Sequence, residues 1–274
     1  GDVFFAIKGK NKNGNEFVQE AFKKGASLGV VSKLKKKPKL IVVEDTLKFL
    51  TKVSTRIRKN TSSKIIAITG SCGKTSLKEL VGKTLNKISK TTYSPRSFNN
   101  KLGVPLSLFN LKQNDEFGIF EIGMDKKGEI DNLSKIIKPD VGVITNISYA
   151  HAKNFQNIKQ IARAKSEIIR NIKNGGSLIL NADDKFYNFH KKIAKRKKLQ
   201  VYSFSLKKKS AEVSLNFIKK EKSKYKISIN IKNSKFHFYI NSNFENKIQN
   251  ILATLTILSI FKNVDKIDKN IFYN

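Results

Sequence analysis

Residues 64–76 read KIIAITGSCGKTS, and this stretch decides the fold of the larger part of the chain. The four apolar residues 65–68 predict a short buried strand, and the turn that follows leads into a helix beginning near Thr75. Such a turn can direct backbone N–H groups at a phosphate and place a lysine and a helix N-terminus beside it. The stretch therefore predicts a phosphate-binding loop.

Several residues of this loop are suited to phosphate. The glycines let the backbone approach closely, Lys74 offsets negative charge, and the Thr75 hydroxyl is placed to hold magnesium. The full pattern G-x-x-x-x-G-K-[ST] is not met, because Ile68 stands at its first glycine; the shorter form T-G-x-x-G-K-T is present. A glycine-rich turn that binds nothing is the alternative. The predicted nucleotide-binding residues here are Gly70, Ser71, Cys72, Gly73, Lys74, Thr75 and Ser76.

Composition limits the class of protein. A chain of 274 residues can bury a full core, and we expect more than one domain. We expect neither a membrane span nor a signal peptide, because no apolar run approaches the ~20 residues that a span needs. The single cysteine, Cys72, excludes a disulfide within the chain, and we expect a cytoplasmic protein.

The net charge of +34 raises the question of nucleic-acid binding. Lysines are spread over every segment, however, and the basic runs 33–39 and 191–198 lack the interleaved aromatic residues that stack on bases. Solvated basic surfaces are favoured over a nucleic-acid interface. A positive field would still assist the capture of anionic nucleotides.

Residues 1–62 are predicted to form a small α/β domain. Its predicted strands lie at residues 1–9, 28–32 and 39–43, and its helices at residues 16–24 and 45–58. The polar residues 59–63 mark the boundary before the phosphate loop. The sequence opens inside a strand without a methionine, so we expect the start of this domain to be missing.

Residues 63–274 are predicted to form the nucleotide-binding domain. Strands at 117–122, 141–147 and 178–180 alternate with helices at 76–88, 130–137 and 159–172. This alternation predicts a mainly parallel central sheet with ligands at the carboxyl ends of its strands. Strands at 213–217, 225–231 and 236–240 predict an antiparallel meander, followed by a helix at 246–261 with one apolar face. The predicted fold class is α/β.

Four polar residues lie at or just beyond the predicted strand ends: Thr75, Glu121, His151 and, on the next helix, Lys165. A carboxylate at the end of an apolar strand is costly unless it is paired or metal-bound, so Glu121 is a candidate magnesium ligand, with a buried capping carboxylate as the alternative. His151 alone is weak support for a ligand, and Lys165 alone would be a helix-surface charge. These residues by themselves indicate a magnesium-nucleotide enzyme.

A series of motifs resembles the Mur ligases of peptidoglycan synthesis. They are T-G-S-C-G-K-T at 69–75, F-N-N-K-L-G-V-P-L at 98–106, E-I-G-M at 121–124, G-E-I at 128–130, T-N-I at 145–147, A-H at 150–151, A-K at 164–165 and N-A-D-D at 181–184. The resemblance implies an ATP-dependent amide ligase that works through an acyl phosphate. Residues 1–9 and 13–17 resemble the family's UDP-substrate domain.

Within the family, residues 98–106 and 121–124 are similar to the member that joins D-alanyl-D-alanine to UDP-N-acetylmuramoyl-tripeptide. Those two substrates are the implied partners, and we expect a monomer. The family also carries a third, C-terminal domain that binds the incoming amino acid or dipeptide. We expect this chain to lack that domain and to show weak or no turnover by itself.

The resemblance also implies a role for each matching residue. Thr75 and Glu121 would hold one magnesium ion, and His151 a second. Lys165 matches the family lysine that is carbamylated and thereby becomes a carboxylate-like metal ligand. Together with Lys74 and Asn100, His151 and Lys165 are predicted catalytic residues.

The remaining implied roles concern the nucleotide. Lys74 would bind the ATP phosphates, Asn100 lies in the segment that faces the reacting phosphate, and Asn250 matches the residue near adenine. The family's His-Asn at the start of that helix is replaced by Asn246 and Lys247, and Cys72 replaces the usual Asn of the loop.

Three alternatives remain open. A sibling Mur ligase would add a diamino acid to UDP-muramoyl-dipeptide. A nucleic-acid-binding P-loop ATPase would account for the net charge, and a degenerate homologue would bind without reacting.

Overall fold

The computed structural model describes residues 1–9, 11–35, 37–149, 154–232, 234–241, 245–261 and 272. The chain divides into two compact units, Gly1–Asn60 and Thr61–Asn274. Within the described ranges, every helix is too short or too polar to cross a membrane.

The first unit is a parallel sheet in the order β1-β2-β3, with helices beside it. Its elements are β1 (Asp2–Phe5), a 3₁₀ turn (Gly14–Phe17), α1 (Val18–Lys23), β2 (Ala26–Ser32), β3 (Leu40–Val43) and α2 (Thr46–Asn60). The predicted helix at 16–24 begins with a 3₁₀ turn because the Asn13 side chain accepts the Asn15 N–H at 3.2 Å. Ala6, Val18 and Val31 form the centre of its small core.

The second unit is built on one sheet, which has nine strands among the described residues, in the order β12-β11-β10-β9-β8-β7-β4-β6-β5. The strands are β4 (Lys64–Thr69), β5 (Thr91–Tyr93), β6 (Phe117–Glu121), β7 (Val141–Ile144), β8 (Ser177–Asn181), β9 (Gln200–Ser205), β10 (Val213–Glu221), β11 (Lys224–Ile231) and β12 (Ser234–Ile240). Pairing is parallel from β5 to β10 and antiparallel from β10 to β12. The predicted fold class, a mainly parallel sheet with an antiparallel meander, is confirmed.

Helices surround this sheet. They are α3 (Lys74–Asn86), α4 (Gly103–Phe109), α5 (Glu129–Ile137), α6 (Ile158–Lys165), α7 (Glu167–Asn171), α8 (Tyr187–Arg196) and α9 (Glu245–Phe261). Helix α9 packs against α3 and β9. The predicted apolar face of α9 is buried, and burial extends all round the helix at residues 251–258, including Thr254 and Thr256. Their hydroxyls donate to the carbonyl oxygens of Asn250 and Leu252, which makes them compatible with the interior.

Other boundaries also differ from prediction. The helix expected at 159–172 is two helices, α6 and α7, separated by Ser166, whose hydroxyl donates to the Arg163 carbonyl oxygen at 2.6 Å. The strand expected at 141–147 ends at Ile144, and the residues after it turn toward the phosphate loop. Four short elements, β5, α4, α8 and β9, were not predicted.

Candidate functional site

The site lies where the carboxyl ends of three neighbouring strands meet. Strand β4 lies between β6 and β7, and all three run parallel. The phosphate loop follows β4, Glu121 ends β6, and residues 145–148 follow β7. Because parallel strands end at the same edge of a sheet, these segments converge.

The glycines of the phosphate loop are required by its backbone. Gly70 has φ +147° and Gly73 has φ +79°, values that favour glycine. A Cβ at Gly70 would overlap the Oγ1 of Thr145. Gly73 is the N-cap of α3, so the loop ends where the helix N–H groups begin.

The segment after β7 holds the loop in place. The N–H groups of Ser71 and Cys72 donate to the backbone oxygen and the Oδ1 of Asn146 at 2.9 and 3.0 Å. The Thr145 hydroxyl donates to the Cys72 carbonyl oxygen at 2.7 Å, and the Ser148 N–H to the Ser71 Oγ at 2.8 Å. The N–H groups of Ser71 and Cys72 are therefore already engaged. The first N–H groups of α3, which no helical bond uses, are the ones suited to an anion.

Two lysines converge on one carbonyl oxygen of this loop. The Nζ atoms of Lys74 and Lys165 each lie 2.9 Å from the oxygen of Gly70. Lys165 is 1% exposed, so it is not the helix-surface charge that its sequence context alone suggested. Burial, followed by the charge of Lys74, lowers the pKa of Lys165 to about 7. Burial also lowers the pKa of Lys74, and Glu121 partly offsets this effect.

Glu121 is paired on both of its carboxylate oxygens. Its Oε2 accepts the Thr75 hydroxyl and its Oε1 accepts the Asn99 side-chain amide, each at 2.7 Å. Glu121 is 1% exposed. A carboxylate and a hydroxyl are oxygen donors of the kind that magnesium prefers, so the pair fits this ion. No group of three His, Cys, Asp or Glu side chains comes together in the described part of the chain.

The other predicted site residues are placed differently. The Asn100 Oδ1 accepts the N–H groups of Leu102 and Gly103 at 3.0 and 2.9 Å, at the start of α4. Its neighbour Asn99 is the residue that reaches Glu121. His151 lies outside the described residues.

A pocket of about 180 Å³ lies beside the phosphate loop. Asn250 of α9 lines it, and its Oδ1 lies 3.7 Å from the place that a Cβ on Gly73 would take. The other lining residues include Cys72, Ser76, Asn146, Phe204 and Gln249. The pocket therefore combines amide side chains with the ring of Phe204, and it extends from the start of α3 to α9.

Sequence reasoning missed the residues that hold the site together. Asn99, Thr145 and Asn146 had a signal, since they lie in the motifs at 98–106 and 145–147, and Ser148 directly follows the second of these motifs. Asp184, from the motif N-A-D-D, accepts the Ile147 N–H at 2.8 Å and so fixes the segment that holds the loop.

Comparison with known proteins is consistent with this geometry. Residues 68–258 match the family described as the Mur ligase middle domain. The chain belongs to the Mur ligase family, which confirms the resemblance inferred from its motifs.

The similar relatives are UDP-N-acetylmuramoyl-tripeptide–D-alanyl-D-alanine ligases. The chain is 39% identical over 208 residues to that of Rickettsia prowazekii, covering 74% of this chain and 46% of the relative. It is 33% identical over 258 residues to that of Buchnera aphidicola from Baizongia pistaciae, covering 93% and 55%. The chain thus spans about half the length of the curated relatives it matches.

Two solved structures of MurF are similar in fold. A crystal structure of MurF from Acinetobacter baumannii has a TM-score of 0.85 and 30% identity, covering 99% of this chain and 59% of that one. MurF from Thermotoga maritima, solved in complex with ADP, has a TM-score of 0.84 and 26% identity, covering 100% and 63%.

Proposed function

We propose that this chain supplies the nucleotide-binding and UDP-substrate-binding parts of a ligase that joins D-alanyl-D-alanine to UDP-N-acetylmuramoyl-tripeptide. The observation that carries the proposal is the convergence at one sheet edge of Lys74, Lys165 and the Thr75–Glu121 pair. The similarity to ligases of this specificity supports the choice of substrates.

ATP is the proposed nucleotide. Its phosphates would lie at the N-terminus of α3, where Lys74 offsets their charge. Its adenine side would lie toward Asn250 in the adjacent pocket. The similar MurF that was solved with ADP supports an adenine nucleotide as the ligand.

Magnesium is the proposed metal, with two ions. Thr75 and Glu121 would hold one ion, and His151 and a carbamylated Lys165 would hold the other. Bound magnesium would offset the charge of the transferred phosphoryl group. A pKa of about 7 leaves much of the Lys165 amine neutral near pH 7, and the neutral amine is the form that adds to CO₂, giving a carbamate and a proton. The carbamate N–H can keep the bond to Gly70.

The reaction needs no protein nucleophile. The terminal carboxylate of the tripeptide attacks the γ-phosphorus of ATP, which gives an acyl phosphate and ADP. The amine of D-alanyl-D-alanine then attacks the acyl carbon, and phosphate leaves as the amide forms. Lys74 is placed to stabilise the negative charge that moves with the phosphoryl group, and Asn100 lies on the segment that we propose faces it.

Residues 1–62 are proposed to form the domain that binds the UDP portion of the substrate. Residues 63–274 are proposed to form the domain that binds ATP. We further propose a cytoplasmic location, since ATP and the UDP-linked peptide are soluble metabolites, and a monomeric protein.

Calorimetric titration of this chain tests the proposal. We expect binding of ATP with magnesium, and tighter binding of UDP-N-acetylmuramoyl-tripeptide than of the corresponding dipeptide. The variant Lys74→Met should weaken ATP binding, while Lys83→Met, an exposed lysine of the same helix, should not. Tighter binding of the dipeptide would favour the sibling ligase. Failure to bind ATP, together with a salt-sensitive shift of RNA or DNA, would overturn the proposal.

A further inference from the structure

Lys78 is a completely buried lysine that the proposed reaction does not use. It lies one helical turn after Lys74 on α3 and is 0% exposed. Its Nζ donates to the Glu79 Oε1 at 2.6 Å and to the carbonyl oxygens of Ser94 and Arg96 at 2.6 and 2.8 Å. An ammonium has three N–H donors, and all of them are used here.

Two of those bonds hold residues 94–99, which we call the 94–99 segment; it connects β5 with α4. Arg96 has φ +46°, a left-handed conformation that is unfavourable for arginine. A strained residue persists where its surroundings fix it. The Lys78 ammonium is part of those surroundings, because it binds the carbonyl oxygens on either side of Pro95.

The 94–99 segment contacts the proposed magnesium ligands. The Ser94 Oγ accepts the Glu121 N–H at 3.3 Å. The Ser97 Oγ lies 3.3 Å from the Thr75 Oγ1, and the Asn99 amide donates to the Glu121 Oε1 at 2.7 Å. Each end of the segment is therefore bonded to Glu121, while Lys78 is bonded to its first residue, Ser94, and to Arg96 in its middle.

We propose that Lys78 is a positioning residue that sets the Glu121 carboxylate for magnesium through the 94–99 segment and Asn99. A buried ammonium is costly, and an apolar side chain of similar volume would fill the same space without that cost. A charge at this position has a physical use because it binds two backbone carbonyl oxygens that an apolar side chain would leave unpaired. This inference rests on the proposed nucleotide function.

The test compares ATP affinity with magnesium and with EDTA in the same chain. Partners that orient a metal ligand typically change metal affinity by about tenfold or more, so Lys78→Met and Asn99→Ala should each lower magnesium-supported ATP affinity by about tenfold. Affinity in EDTA should stay within about twofold, since the phosphate loop is unchanged. With magnesium, the double variant should bind ATP at least as tightly as the weaker-binding of the two single variants. Both substitutions would break the same connection between Lys78 and Glu121, so their effects should not add.

Two controls separate positioning from general stability. Lys83→Met removes an exposed charge from the same helix and should change neither affinity. Val141→Ala, at the opposite end of β7, should lower stability without changing the ratio of the two affinities. Hydrogen exchange without nucleotide should be faster in residues 94–99 of Lys78→Met and unchanged in Lys83→Met.

Each outcome is decisive. If the unsubstituted chain binds no ATP, the proposed function fails, and the inference fails with it. Asn99 lies on an exposed segment, so Asn99→Ala is expected to fold. If the unsubstituted chain binds ATP, but magnesium raises the ATP affinity of Asn99→Ala as much as that of the unsubstituted chain, only the inference is overturned. Multiplicative losses in the double variant would also overturn it, since Lys78 and Asn99 would then act independently.

Discussion

The Nζ of Lys165 donates a hydrogen bond to the carbonyl oxygen of Gly70 at 2.9 Å, across 95 residues of sequence. Lys74 donates to the same oxygen, also at 2.9 Å. One neutral acceptor is thus shared by two lysine side chains, of which Lys165 is the more deeply buried. This arrangement ties helix α6 to the phosphate loop and disfavours protonation of Lys165.

Lys165 should make stability depend on pH. Its pKa is about 7 in the folded chain and 10.5 in its ordinary state, so between these values the unfolded chain binds a proton that the folded chain does not. Stability contributed by Lys165 therefore rises with pH in this window, by about 1.4 kcal/mol per pH unit at most. Urea unfolding in CO₂-free buffer should show a shallower rise for Lys165→Met than for the unsubstituted chain.

Lys159→Met, an exposed lysine on the same helix, provides the matched control and should keep the slope of the unsubstituted chain. If the free energy of unfolding rose equally steeply with pH in Lys165→Met and Lys159→Met, the lowered pKa of Lys165 would be contradicted.

Gly70→Ala should be far more damaging than substitution of another left-handed glycine. Its Cβ would overlap Thr145, whereas Gly175, with φ +73°, has open space around the corresponding position. We expect Gly70→Ala to lower the free energy of unfolding by about 3 kcal/mol or more, and Gly175→Ala by about 1 kcal/mol. Urea denaturation measures both values, and similar losses would show that the overlap is relieved.

Asn146→Ala should weaken nucleotide binding more than it weakens the fold. The side chain makes two hydrogen bonds to the backbone of Cys72, and without them the loop is less well fixed. We expect ATP affinity to fall about tenfold, with a loss of about 1–2 kcal/mol in stability. Asn132→Ala, an exposed position on α5, should leave both unchanged. Unaltered ATP affinity in Asn146→Ala would mean that Thr145 and Ser148 fix the loop without it.

Alkylation should report directly on occupancy of the pocket. Cys72 is the single cysteine of the chain, and its thiol is exposed in the loop. Iodoacetamide should add one label, reduce ATP binding, and react several-fold more slowly when ATP is bound. Mass spectrometry measures the label, and Cys72→Ser should take up none. An alkylation rate that saturating ATP does not change would place the nucleotide elsewhere.

Much of the fold could be predicted because its signals are local. The apolar residues 65–68 next to a Gly-Lys-Thr turn predicted β4, the loop and α3 with small errors at their ends. The basic residues of α8 hid its buried face, which includes His190 and Ala194. The two-residue shift at the start of α3 follows from Gly73, which is the N-cap.

The site was less predictable because its contacts join residues that lie far apart in the sequence. Nothing near Lys165 in the sequence indicates that the Gly70 carbonyl oxygen accepts its hydrogen bond. That Asn99 rather than Asn100 reaches Glu121 depends on the path of the 94–99 segment. Glu167 is a further case. It follows Lys165 closely in sequence, yet its carboxylate accepts the Gly128 N–H at 2.8 Å and so stabilises the start of α5.

The arrangement of β4 between β6 and β7 also governs when the site can appear during folding. Each of these parallel pairings joins strands separated by a crossover, so loop-closure entropy must be overcome before the contacts form. The phosphate loop, Glu121 and Lys165 come together only when the central strands have assembled. A nucleotide would therefore bind only chains that are past that stage, and it would act chiefly by slowing unfolding rather than by speeding folding.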